Sequence, residues 1–150
     1  MPTQAQRVSQ TFAAHRAALT ALLTEIPEEQ AAYSPWEGAM NFVSLGDHLD
    51  ASAKGMLAAL SGQAPSREVV PSHSLHEARA RLQASGEQVA QALAALSDDD
   101  LAREVPAFGG RTMPVAQLVE MLTMHEAHHK GQLWVMARQV GVKPPFFVQM

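Results

Sequence analysis

The chain has 150 residues, a net charge of −4 from 11 basic and 15 acidic side chains, and no cysteine. That length buries a core without staples, and the scattered charge offers no basic stripe for phosphates, which argues against nucleic acid as a partner. The missing cysteine excludes disulfides, protein-thiolate catalysis and cysteine-ligated metals, so any metal must be held by nitrogen and oxygen. Met1 to Gln10 is polar, with no charged stretch leading into an apolar core, and no apolar run approaches about 18 residues. One soluble, cytoplasmic domain over 1–150 that does not enter a membrane is the expectation.

Four helical segments are predicted, and strand signals are nearly absent. The first runs from about Thr3 to Glu25 on a stripe of Phe12, Leu19, Leu22, Leu23 and Ile26, and Pro27 breaks it. After a loop with Tyr33, Ser34, Pro35, Trp36 and Gly38, the second starts at Asn41, an N-cap, and carries Phe42, Leu45, Leu49, Met56, Leu57 and Leu60 to Ser61-Gly62. The third opens with a capping box at Ser74-Leu75-His76-Glu77, and its stripe of Leu75, Leu82, Val89, Leu93 and Leu96 stops at Ser97. Asp98-Asp99-Asp100 starts a short turn, and a loop with Pro106 and Gly109-Gly110 follows. The fourth helix begins near Thr112, with Pro114 in its first turn, and ends at Gly141 before Pro144-Pro145. Four long helices in one domain predict an all-α four-helix bundle with long inter-helix loops.

The fourth helix contains the most informative stretch, His125-Glu126-Ala127-His128-His129-Lys130-Gly131-Gln132. Its stripe of Val115, Leu118, Leu122, His125, His129, Leu133, Met136 and Val140 recurs every three or four residues, so His125 and His129 continue the buried face. On a helix this pair stacks two imidazoles with Cβ atoms about 5–6 Å apart. A lone core histidine is usually satisfied by one hydrogen bond, but two neighbouring buried imidazoles without partners are costly, and a shared divalent ion satisfies both. Metal binding is therefore the expectation.

The same residues match the H-E-x-x-H pattern of zinc peptidases, with Glu126 as general base. No His, Asp or Glu follows Lys130 to supply the usual downstream ligand, and no strand could align an extended peptide, so a metallopeptidase is a minor alternative. A third ligand must come from upstream. His48 and His15 both sit on inner helix faces, and periodicity does not separate them. His73 and His76 lie at a helix entrance, where capping or solvent explains them. Asp47 and Asp50 read as solvated or supporting carboxylates. His128, with Met121, Met124 and Val135, forms a second line at the edge of the stripe.

Ile26-Pro27-Glu28-Glu29-Gln30, Ser44-Leu45-Gly46-Asp47-His48-Leu49, the His125 to Gln132 segment and Gly141-Val142-Lys143-Pro144 together resemble the DinB/YfiT-like family over nearly the whole chain. The resemblance implies a four-helix bundle in which a histidine of helix two and the H-x-x-x-H pair of helix four form a metal triad, by position His48, His125 and His129. It also implies a homodimer, zinc or nickel as the metal, and thiol-dependent transferase or isomerase chemistry with bacillithiol, mycothiol or glutathione as cosubstrate.

Three histidines without a fourth protein ligand form an open site, as catalysis requires. The expected function is metal-dependent transfer of a low-molecular-weight thiol to a small electrophile, with hydrolysis as the nearest variant. The alternatives are metal sequestration without turnover and a structural stress-response protein. Gln132 lies three residues beyond His129 and can orient a ligand or the bound water; it, Glu126 and Asp47 are the candidates for a catalytic role. Gly131, inside a helix, suggests close approach by another element. Trp134, with Met121, Met124 and His128, suggests either a dimer contact or a small core under the Tyr33 to Trp36 loop.

Overall fold

A computed structural model describes residues 1–66 and 68–150. Four long helices, α1 (Gln4–Glu25), α2 (Phe42–Leu60), α3 (Leu75–Ala94) and α5 (Val115–Gln139), form the bundle; a short α4 (Asp98–Ala102) and a hairpin of β1 (Glu104–Pro106) and β2 (Thr112–Pro114) lie between α3 and α5. α1 and α2 each pack against α3 and α5. Among the described residues, no helix is long and apolar enough to cross a membrane.

Local chemistry sets most of the helix ends. Thr3 and Gln6 cap α1 reciprocally, and the Asn41 side chain accepts from the Ser44 amide at 2.8 Å. At α3 the expected capping box is altered. The Ser74 hydroxyl accepts the Glu77 amide, but the Glu77 carboxylate accepts the amide of His73, one residue outside the helix. The Glu28 carboxylate supplies what is missing by accepting the amides of Leu75 and His76 at 3.1 and 2.7 Å, a negative group at the positive end of a helix.

The expected loop before the last helix is instead an antiparallel hairpin pairing Glu104 with Pro114, Val105 with Met113 and Pro106 with Thr112. Val105 and Met113 bury while their neighbours face outward, an alternation only three residues long. Gly109 and Gly110, both at φ +72°, turn the chain between the strands. α5 consequently starts at Val115, and Pro114 precedes it rather than occupying its first turn.

The bundle has two apolar regions. One gathers Phe12, Met56, Val89, Leu93, Val105, Val115 and Leu118; the other gathers Leu19, Leu22, Phe42, Leu45, Leu82, Leu133 and Met136. Along α1 and α5 the two meet at Arg16 and Glu126. The tightest glycine contact lies here too: a Cβ on Gly86 would come within 2.7 Å of Arg16 Cγ, whereas one on Gly131 would meet nothing within 4 Å. The close approach expected at Gly131 is therefore found at Gly86.

Candidate metal centre

α5 buries two adjacent stripes. His125 and His129 lie on the one facing α2, and His48 of α2 stands opposite, one turn beyond the buried Leu45. The ring centroids lie 4.8 Å apart for His48 and His125, 4.8 Å for His48 and His129, and 4.5 Å for His125 and His129. One nitrogen from each ring falls within 4.8 Å of the other two, and Nε2 of His48 lies 2.9 Å from Nε2 of His125. An ion with bonds of about 2.0–2.1 Å to imidazole places its ligand nitrogens roughly 3–3.5 Å apart, so small ring rotations fit these three to one divalent ion.

Electrostatics favours the state a metal needs. Burial lowers the His125 pKa from 6.5 to about 4, and the neighbouring His129, His48 and His128 push it the same way. Burial followed by the His129 charge lowers His48 as well. Both rings are neutral at pH 7, with lone pairs available. Gln132 fixes the third ring: its side-chain oxygen lies 2.8 Å from His129 Nδ1 and accepts that N–H, which leaves Nε2 as the free donor atom.

His15, the other candidate for the third position, is directed elsewhere: its Nδ1 accepts from the Lys130 ammonium at 2.8 Å. Lys130 also donates to the Phe147 carbonyl, and Trp134 Nε1 donates to the Pro145 carbonyl at 3.2 Å. Trp134 is thus tied to the C-terminal segment, and it belongs to the apolar cluster against which Tyr33 packs, in line with the core expected under the Tyr33 to Trp36 loop.

Glu126 is fully buried on the neighbouring stripe, where its two oxygens accept from Arg16 Nε at 2.5 Å and Nη2 at 3.0 Å. A carboxylate so engaged and turned from the histidines is no general base, which removes the H-E-x-x-H peptidase reading. Asp47 accepts from both the amide and the hydroxyl of Ser72 and so anchors the segment before α3. Asp50 pairs with Lys54 at 2.6 Å. His73 and His76 remain at the α3 entrance, and His128 is exposed, its ring 4.8 Å from that of His129.

Two residues of this layer escaped the sequence reading. Arg16 continues the α1 stripe between Phe12 and Leu19, so a cation on an apolar face was its visible signal. Phe108 reaches the histidines from the hairpin, and nothing local marked it. Cavities of about 210 and 160 Å³ open onto His48 on either side of Phe108, and a groove of about 490 Å³ along Trp36, Leu45, Gln132 and Val135 lies beyond His129.

A four-helix bundle with three convergent histidines at mid-height defines the class of protein. The sequence profile of the DinB superfamily matches residues 11–133, and the chain belongs to that superfamily. It is 37% identical over 87 residues to the uncharacterised protein YrdA of Bacillus subtilis, matching 57% of this chain and about half, 52%, of YrdA. The crystal structure of the DinB-like protein YjoA of Bacillus subtilis superposes with a TM-score of 0.79 at 26% identity, covering 95% of this chain and 98% of YjoA. A DinB-like protein of Bacillus cereus gives 0.77 at 21% identity over 92% and 93% of the two chains. YfiT of Bacillus subtilis, described as a probable metal-dependent hydrolase with an unusual four-helix bundle topology, gives 0.72 at 15% identity over 93% and 89%.

Proposed function

We propose that the chain is a divalent-metal-dependent enzyme in which His48, His125 and His129 hold one ion, zinc or nickel, with a coordination position left open. The observation that carries this reading is the convergence of three ring nitrogens within 4.8 Å. The description of YfiT as metal-dependent agrees with it. A divalent ion there supplies Lewis acidity, lowering the pKa of a bound water or thiol. The protein's share is to present neutral imidazoles, to orient His129 through Gln132, and to line the approach with the apolar side chains of Phe108, Met121 and Leu122. Neither Asp47 nor Glu126 is available as a base. That favours a nucleophile acidified by coordination alone, and a low-molecular-weight thiol, whose ordinary pKa is about 8.5, needs less acidification than water. We therefore place thiol transfer to a small electrophile first and hydrolysis second.

Elemental analysis of purified protein beside His48→Ala, His125→Ala and His15→Ala tests the site. About one ion per chain, lost in the first two variants and kept in the third, is expected for an open three-histidine centre. Product formation from a panel of thiols with electrophiles, against a panel of esters, tests the reaction; metal uptake with no product from either panel points to sequestration. One observation favours a purely structural role, since His48 and His125 satisfy each other at 2.9 Å. Under that reading chelator leaves the melting temperature unchanged, whereas loss of a bound ion lowers it. A homodimer is part of the proposal, with the exposed Met124 and Val135 as apolar surface available to a second copy; a monomer by light scattering at micromolar concentration overturns it.

A further inference from the structure

The hairpin buries Val105 and Met113 in the bundle core, and it also carries one large apolar side chain to the histidine cluster. Phe108 sits where β1 ends, and its ring lies over Gly55 of α2. A Cβ at position 55 would come within 3.0 Å of Phe108 Cζ and 3.2 Å of Cε1, so the absence of a side chain there lets the end of the ring approach the helix.

The ring divides the approach to His48. One lobe, about 210 Å³, is bounded by Ser52, Met121, Leu122 and His125; the other, about 160 Å³, by Ala51, Ser52, Ser66 and Val69. Both have Phe108 and His48 in their walls. Each is smaller than the roughly 300 Å³ at which sites for drug-sized ligands begin. Among the described residues neither lobe has a charged wall, and the Ser52 hydroxyl donates its proton to the His48 carbonyl at 3.0 Å.

The geometry points to Phe108 as the specificity-determining residue of the histidine site: its ring, in the wall of both lobes, limits the width of the apolar group that reaches the cluster. This rests on the proposed metal site only in naming the ligand that bears this group the substrate. A fused bicyclic group would have to displace the Phe108 ring from Gly55.

The test uses cobalt-loaded full-length protein and its visible bands, titrated with 1-methylimidazole, 1-benzylimidazole and 1-(naphthylmethyl)imidazole as ligands for the open position. Phe108→Ala should tighten the naphthylmethyl probe about tenfold relative to 1-methylimidazole by admitting the second ring, and Phe108→Trp should weaken the benzyl probe by a similar factor. Opposite shifts in the two variants separate the proposal from a folding defect, which weakens every probe alike. Equal affinities across the variants overturn it. If the protein takes up no cobalt, the metal reading fails by itself. The same probes are then followed by the ring-proton signals of His48 and His125, where an unchanged size preference in Phe108→Ala overturns the assignment and an enlarged one supports it.

Discussion

His125 and Glu126 are neighbours in sequence and stand at the same height in the bundle, yet their surroundings are opposite in kind. On the Glu126 side, Arg16 donates to both carboxylate oxygens, to the Leu82 carbonyl at 2.8 Å, to the Ser85 hydroxyl at 3.3 Å and to the Leu49 carbonyl at 3.4 Å. Every guanidinium N–H has a protein partner, and charge is balanced within the cluster. On the His125 side, three like groups converge, and His48 and His125 are held toward the neutral form first by burial and then by the neighbouring His129. A network complete in itself ties α1, α2, α3 and α5 together; a cluster of ring nitrogens drawn to one point has a geometry that suits a cation. Two adjacent residues of one helix thus divide structure from chemistry.

The sharpest way to break this contrast is to remove one ligand. His125→Ala should reduce bound metal from about one ion per chain to near none, while stability measured in chelator stays close to that of the parent. If the variant in chelator loses as much stability as a broken core, the histidines belong with Arg16 and Glu126 as structure.

The converse substitution, Glu126→Gln, should cost about 3–5 kcal/mol in urea unfolding, because it leaves the Arg16 charge buried without its counter-charge. Metal content of the folded fraction should be unchanged. Replacing both partners, Arg16→Met with Glu126→Leu, should recover most of the loss, since apolar groups of similar volume leave no stranded charge. Metal loss in the folded double variant would show that the two sides of α5 are coupled. Gln132→Leu gives a smaller effect: without an acceptor for its Nδ1–H, the His129 ring loses its fixed orientation, and metal affinity should fall about 10- to 100-fold by competition titration, with the fold intact.

How far this layer was legible in sequence depends on the range of the contact. The His125 and His129 pair was readable because its partners are four residues apart and share a stripe. His48 was not separable from His15 by periodicity, because each lies on an inner face. What decides is which helix meets which across the bundle: α2 brings His48 to His125, while Lys130 claims His15. The burial of Glu126 was invisible because its partner lies 110 residues away, and an acidic residue on a helix reads as solvated until that partner is found. The hairpin escaped because three-residue strands are too short for alternation to stand out from a loop, although Gly109-Gly110 marked the turn. Phe108 escaped with it.

The smallest predicted effect is also the most direct reading of the histidine side without metal. His125 titrates near 6.5 in the unfolded chain and at about 4 in the folded one. As pH falls through this interval the unfolded state takes up the proton first, so it is the state that acid favours. In chelator-treated protein the His125 contribution to stability should therefore be intact above about pH 6.5, decline down to about pH 4, and change no further below, where both states are protonated. Carboxylates such as Asp100 and Glu77, whose pKa values are lowered chiefly by hydrogen bonds from the Ser97 and His73 amides, also lose stability to acid. The measurement is consequently the difference between parent and His125→Gln across pH 4 to 6.5, in which these shared contributions cancel. A difference that does not change over that interval would mean that the ring is not held neutral by its surroundings, and with that the electrostatic contrast between the two sides of α5 would disappear.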